Sequence, residues 1–297
     1  MIAQRLTAAA LGVALTAVGL TACSTPADPA TPPASGDAKL SDLLPEKYAD
    51  GINVASGVYA PMEFLNDDGK FTGFDYDLGQ AIGDLLGTKL TFETQDFTSI
   101  IPSLQSGKHD IIMFGMNDTA ERQKVLDFTD YFYAGLAIVV AKGNPENIGG
   151  LLDLCGETVA VAKGTTQADF VKGQGDACSS AGSDPITALE LPTEGDALLA
   201  VRSGQAVADV FDAAPAAYTA ETAGDGEQFE VVHDPDNPKG FGAVPTGIGV
   251  LKANKDLTKA LQTALQELID DGTYKKLLDK YELSDYAVDS AELNGGK

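Results

Sequence analysis

The chain has 297 residues, with 20 Lys and Arg against 44 Asp and Glu, for a formal net charge of −24. Such an excess of acid excludes nucleic acid as a partner, which calls for basic patches, and serves as the solubilising charge of an exported protein. Its length allows two lobes with cores of their own.

The chain opens with MIAQR, runs through an apolar stretch from Leu6 to Leu20, and reaches Leu20-Thr21-Ala22-Cys23. That stretch is shorter than the roughly 18 apolar residues a spanning helix needs. Small residues directly before a cysteine resemble the end of a lipoprotein leader. Residues 1–22 are therefore expected to be removed and Cys23 to carry lipid, anchoring the protein on the extracytoplasmic face of the membrane. One acyl chain binds membranes only marginally, so at least two are expected there. A cleaved leader with an incidental cysteine is the alternative. Residues 23–42, rich in Pro, Ala, Ser and Thr, cannot bury enough surface to fold and read as an extended tether.

From Gly51, short β-rich runs alternate with helical ones, the pattern of parallel α/β units. INVAS (52–56) predicts a strand, and Phe74, Leu78 and Ile82 mark one face of the helix that follows. KLTFET (89–94) and DIIMFG (110–115) predict strands on either side of a helix over 97–107, and Thr119 predicts the N-cap of another. A second beat begins after Lys142. Strands are predicted at ETVAVAKG (157–164), PITALEL (185–191) and AVADVFD (206–212), with helices after Thr166, over 193–204 and from Pro215. QFEVVHD (228–234) and AVPTGIGVLK (243–252) read as strands, Leu257, Leu261, Leu265 and Leu268 line one face of a long helix, and 273–283 forms a final amphipathic stretch. Cys155 and Cys178 are expected to pair as a disulfide outside the cell. Metal binding is the weaker alternative, since His109 and His233 show no ligand spacing with each other or with the cysteines.

Ligands of parallel α/β sheets bind beyond the carboxyl ends of strands, where helix N-termini present free N–H groups. Three such ends carry suggestive residues: Gly115, Asn117, Thr119 and Arg122 after the third strand; Gly164, Thr165 and Thr166 after VAVAK; and Asp212 at the end of AVADVFD. With Thr119 as N-cap, Arg122 falls at the third helical position, where a cation faces the positive end of the helix dipole and invites an anion. Two cation- or N–H-rich corners and one acid suit a zwitterion, its carboxylate on Arg122 and its ammonium on Asp212. Other readings remain: Arg122 pairing with Asp118 at the surface, Asp212 as a capping residue before Pro215, GTTQ as an ordinary helix start, and Tyr59 and Phe97 as core aromatics.

The segments VYAPMEFLNDDGKFTGFDYDLGQAIGDLLG, FTSIIPSLQSGKHDIIMFGMNDTAERQKVLDFTDYF and VAVAKGTTQADF together resemble the polar amino-acid family of solute-binding proteins that serve ABC importers. The resemblance implies an α/β, two-lobed periplasmic-binding-protein-like fold of type II, with two hinge strands and a ligand cleft between the lobes. It implies a first lobe of 43–140 plus 244–290 and a second of 141–243. Carried over, it makes Arg122 the clamp for a ligand carboxylate, with Gly115, Asn117, Thr166 and Gln167 beside it. Asp212 takes the ammonium, and Tyr59 and Phe97 sandwich the side chain. Three positions depart from the family pattern. Val207-Ala208 stands where it reads Asp-Ala, although Asp209 is close; Ser56 stands where cation-binding members often carry Asp; and Asp118 replaces an apolar residue.

The function implied is capture of a polar L-amino acid by cleft closure and delivery to a membrane permease, by a monomer that needs no cofactor. Ser56 and Asn117 favour glutamine or glutamate. Two rivals share the fold: an exported dehydratase using Glu63 or Glu194 as general acid or base, and a receptor that senses the amino acid without transporting it.

Overall fold

In the computed structural model the described residues are 39–233 and 240–297. The leader, Cys23 and most of the expected tether lie outside them. The packed chain starts slightly earlier than residue 43: Leu40, in the 3-10 turn Leu40–Leu43, already lies against the first core.

Strand β1 (Ile52–Ser56) is followed by the short hairpin of β2 (Phe64–Leu65) and β3 (Phe71–Thr72), then by helix α1 (Phe74–Leu86). Phe74, Leu78, Ile82 and Leu86 recur every fourth residue of α1 and all are buried, which is the amphipathic face the sequence predicts. Strand β4 (Leu90–Thr94), helix α2 (Ile100–Gln105) and strand β5 (Ile111–Ile112) complete the first beat.

The helix expected from Thr119 does not form. Its place is taken by a single 3-10 turn, Arg122–Lys124, although the Thr119 hydroxyl accepts the Arg122 N–H at 3.3 Å as a cap would. The segment is pinned on both sides: Asn117 bridges to Thr246, the Asp118 N–H donates to the Pro245 carbonyl, and a strand starts at Leu126. Too few residues remain for an α-helix, so an argument from its dipole does not apply to Arg122.

That strand, β6 (Leu126–Ala141), runs for 16 residues and was not anticipated. It is buried on both faces along most of its length, so it lacks the polar and apolar alternation that betrays a half-exposed strand. The second beat comprises β7 (Thr158–Ala162), α3 (Thr166–Lys172), α4 (Gly175–Ser180), β8 (Thr187–Leu191), α5 (Glu194–Arg202), β9 (Ala208–Asp212) and α6 (Ala213–Thr222). After β10 (Phe229–Val231) and β11 (Phe241–Leu251) come α7 (Lys255–Asp270) and α8 (Thr273–Lys280).

The strands form one sheet in the order β4-β1-β5-β11-β6-β9-β7-β8, with β10 on β6. Pairing is parallel among β4, β1 and β5 and among β8, β7 and β9, whereas β6 and β11 run antiparallel to each other and link the two groups. These are the two hinge strands. Ala134 packs in the first core, with Val54, Leu78 and the leucines of α7, whereas Leu136, Ile138 and Val140 pack in the second, with Val159, Val161 and Val210. The first crossing therefore falls near Gly135, ahead of the 140/141 boundary expected. At the crossing the backbones touch: a Cβ on Gly135 would lie 2.5 Å from the Gly240 carbonyl carbon, and one on Gly240 2.5 Å from the Leu136 oxygen. Helix α7, late in the chain, packs on the first lobe, so that lobe is discontinuous in sequence. Cys155 and Cys178 are disulfide-bonded, with Cα atoms 5.4 Å apart, joining the turn before β7 to α4.

Candidate functional site

The carboxyl ends of β1, β4 and β5 in one lobe face those of β7, β8 and β9 in the other across a cleft of about 330 Å³. That volume lies within the roughly 300–1,000 Å³ of small-molecule sites. Tyr59, Asp96, Phe97, Phe114, Gly115 and Asn117 line it from the first lobe, and Thr165, Gln167, Thr193, Glu194 and Asp212 from the second. Hydrogen bonds cross it. Tyr59 Oη donates to Asp212 Oδ2 at 2.8 Å and accepts the Asp212 N–H at 3.2 Å, and Thr166 Oγ1 donates to Asn117 Oδ1 at 2.6 Å.

The basic side of the cleft centres on Arg122, whose Nη1 donates to the Asn117 carbonyl at 2.8 Å while the guanidinium lies 5.3 Å from the centre of the Phe97 ring. Arg122 stands just behind the wall that Asn117 and Phe97 form. Burial lowers its pKa to about 10, against the pull of Asp212, Asp169 and Asp118. Among the described residues no carboxylate forms an ion pair with it. Pairing with Asp118 does not occur, because that carboxylate accepts from Gln123 Nε2 and from the Gly296 N–H instead. Thr165 caps α3, accepting the Ala168 N–H at 3.2 Å, and so leaves the Thr166 hydroxyl for Asn117.

The acidic side of the cleft carries more carboxyl groups than the one expected, Asp212. Asp212 closes β9; its Oδ2 is held by Tyr59, and its Oδ1 is buried without a partner. Burial lifts its pKa to about 6, opposed by Tyr59, Asn117, Gln167 and the Arg122 charge. Glu194 opens α5 after the N-cap Thr193 and lines the cleft, with Oε1 buried and unpartnered. Burial, and then the neighbouring Asp209, push its carboxyl well above the usual range. Asp209 is fully buried behind it, burial raises its pKa as well, and a hydrogen bond from the protonated Glu194 carboxyl opposes that rise.

Several expected residues sit differently from the sequence reading. Ser56 is fully buried, its hydroxyl donating to the Met113 carbonyl at 2.7 Å, and it does not line the cleft. Gly115 lines the cleft, but its N–H is used by Asp75 Oδ2 at 3.2 Å. Glu63 is buried beside Asp75 and away from the cleft, whereas Glu194 is in it. Tyr59, Phe97, Asn117, Gln167 and Asp212 are brought together as expected. Asp96 and Phe114 were missed; Asp96 directly precedes Phe97, and proximity to a strand end was the signal available.

Residues 52–284 match the model of the bacterial extracellular solute-binding proteins, family 3. The chain is 30% identical over 308 aligned positions to the arginine-binding protein ArgT of Corynebacterium glutamicum, covering 99% of this chain and 97% of that protein. It is 33% identical to the lysine/arginine/ornithine-binding periplasmic protein of Escherichia coli, over 80% of this chain and 88% of that one. A solved structure of an ancestral arginine-binding protein bound to arginine is similar, with a TM-score of 0.68 at 37% identity, covering 77% of this chain and 97% of that one.

Proposed function

Because the chain belongs to the family 3 bacterial extracellular solute-binding proteins, we propose that it captures a basic L-amino acid, arginine first, and delivers it to the permease of an ABC importer. In this reading it works as a monomer, lipid-anchored through Cys23 outside the membrane. The carrying observation is that Glu194 and Asp212 in the cleft wall, with Asp209 buried behind Glu194, form no ion pair among the described residues, in a cleft that also has Arg122 beside it.

Arg122, with Asn117 and Thr166, receives the ligand carboxylate. Asp212 receives the α-ammonium, and Tyr59 and Phe97 flank the aliphatic stem. The cationic end of the side chain lies towards Glu194 and Asp96. A buried carboxylate with no partner is costly, and a cation from the ligand removes that cost. The names of the relatives, which bind arginine, lysine and ornithine, support the same class.

Glutamate fits this cleft poorly, since its side chain would add a further acid to Asp96, Glu194 and Asp212, and glutamine would bring no charge to Glu194. Ser56, one of the two grounds for favouring them, lies outside the cleft. Capture at micromolar concentration needs about 8 kcal/mol. Calorimetric titration of the purified protein with arginine, lysine, glutamine and glutamate tests the reading. Tight arginine binding with glutamate silent is expected; glutamate or glutamine binding with arginine silent would overturn it.

A further inference from the structure

Asp118 departs from the family pattern, and its partners explain why. It is fully buried, yet it makes no ion pair among the described residues. Its Oδ2 accepts the Gly296 N–H at 2.8 Å, and both its oxygens accept from Gln123 Nε2, at 2.8 and 3.0 Å. Gln123 Nε2 also donates to the Gly296 carbonyl at 3.0 Å, so one side-chain amide joins residue 118 to residue 296.

Residue 296 belongs to a segment beyond the last residue matched to the family, Ser284. It is fastened along its course. Ala291 is held by Gln262 and Gln266 of α7. From there the chain runs beside the start of β6: the Asp130 N–H donates to the Glu292 carbonyl at 2.9 Å, Leu293 bridges to Thr129, and Asn294 exchanges hydrogen bonds with the Phe128 backbone at 3.1 and 2.9 Å. The Gly295 N–H then reaches Asp130 Oδ2 at 2.9 Å. A side chain at 296 is sterically excluded, since a Cβ there would lie 2.1 Å from the Asp118 carbonyl oxygen.

The far end of this contact is the ligand cleft. Asp118 follows Asn117, whose carbonyl holds the Arg122 guanidinium and whose side chain reaches Thr166 across the cleft. Gln123 follows Arg122. Residues 117–123 thus carry two proposed ligand contacts near their ends and are tied from behind at the two adjoining residues. We propose that Glu292–Gly296 is a strap that positions Asn117 and Arg122 and so sets how firmly ligand is held, with Asp118 and Gln123 as positioning residues.

The effect on ligand rests on the amino-acid-binding reading; the effect on the loop does not. The test uses the full chain with Gly296→Val and, independently, Gln123→Ala, which cut the same junction from opposite sides. Leu293→Ser, on an exposed side chain of the strap, is the control. Each variant is read by arginine affinity and release rate, by thermal unfolding without ligand, and by amide hydrogen exchange. Both cutting variants should release arginine faster, weakening affinity about tenfold, the equivalent of 1.4 kcal/mol. They should speed exchange over 117–123 but not over 158–172 in the second lobe, while Leu293→Ser leaves all readouts at wild type. A lowered unfolding midpoint with unchanged affinity, release and loop exchange would make the segment a packing element only and overturn the proposal. If the wild type binds no basic amino acid, the functional reading fails, and loop exchange alone decides the strap.

Discussion

In the proposed reading Arg122 and Asp212 divide a zwitterion between them, and their surroundings set how each behaves. Arg122 is a guanidinium with a carbonyl and an aromatic ring for company and no ion-pair partner among the described residues. Truncating one member of a buried charge pair costs about 2–5 kcal/mol, so Arg122→Ala should weaken arginine binding from tens-fold to thousands-fold by calorimetry. Affinity equal to wild type would mean the carboxylate sits elsewhere. Asp212 introduces a pH dependence. Burial raises its pKa to about 6 in the protein as described, with Tyr59, Arg122, Asn117 and Gln167 opposing and Glu194 nearby. A ligand ammonium needs the ionised form, so the part of the affinity due to Asp212 should be level above pH 7 and fall about tenfold per unit well below 6. The stability contribution has the opposite sense: with a folded-state pKa above the ordinary value, it is present at low pH and lost as pH rises through about 6. Arginine should therefore raise the unfolding midpoint more at pH 7.5 than at pH 5, and Asp212→Asn should flatten that difference.

At the scale of elements, the disulfide offers a clean measurement. It closes a loop of 23 residues between the turn before β7 and α4, and such a loop is worth about 3 kcal/mol in the chain-entropy view. Replacing Cys155 and Cys178 by Ser should lower the unfolding free energy by about that amount in denaturant titrations, with arginine affinity little changed because neither residue lines the cleft. The elements readable from sequence were helices with one buried face and short apolar strands bounded by turn residues. The four-residue spacing of α1 and α7 and the short strands β1, β7 and β9 emerge directly from residue patterns, although β9 is buried throughout. Strand β6 was hidden because its 16 residues are covered along most of their length and carry no period of two. The helix expected after Thr119 carried the right capping residue but lost to two tertiary pins, Asn117 on Thr246 and Asp118 on Pro245, that local sequence does not reveal. The same limit applied to the site. Asn117, Arg122 and Asp212 stood out through chemistry at strand ends and Tyr59 through the family resemblance, whereas Glu194 read as a favourable first-turn acid on α5 and Ser56 as a contact. Only the packing of strand ends across the cleft tells which of them faces inward.

Across the whole molecule, two lobes share one sheet through β6 and β11, and the proposed ligand contacts sit on either side of that junction, so in this reading a bound ligand engages both lobes at once. Hinge closure of periplasmic binding proteins about a ligand is a known class of motion. The acids that make the second lobe selective also burden it: Glu194, Asp209 and Asp212 bring three carboxyls into one buried region of a chain already at −24. A basic side chain relieves that burden, and a neutral one of the same shape does not. The most direct test is the affinity ratio of L-arginine to L-citrulline, its uncharged near-isostere, measured by calorimetry at pH 7. A hydrogen-bonded charge interaction is worth about 1.5–3 kcal/mol, so arginine should bind about ten to a hundred and fifty times more tightly, and Glu194→Gln should shrink the gap. Equal affinity for the two ligands in the wild type would contradict it.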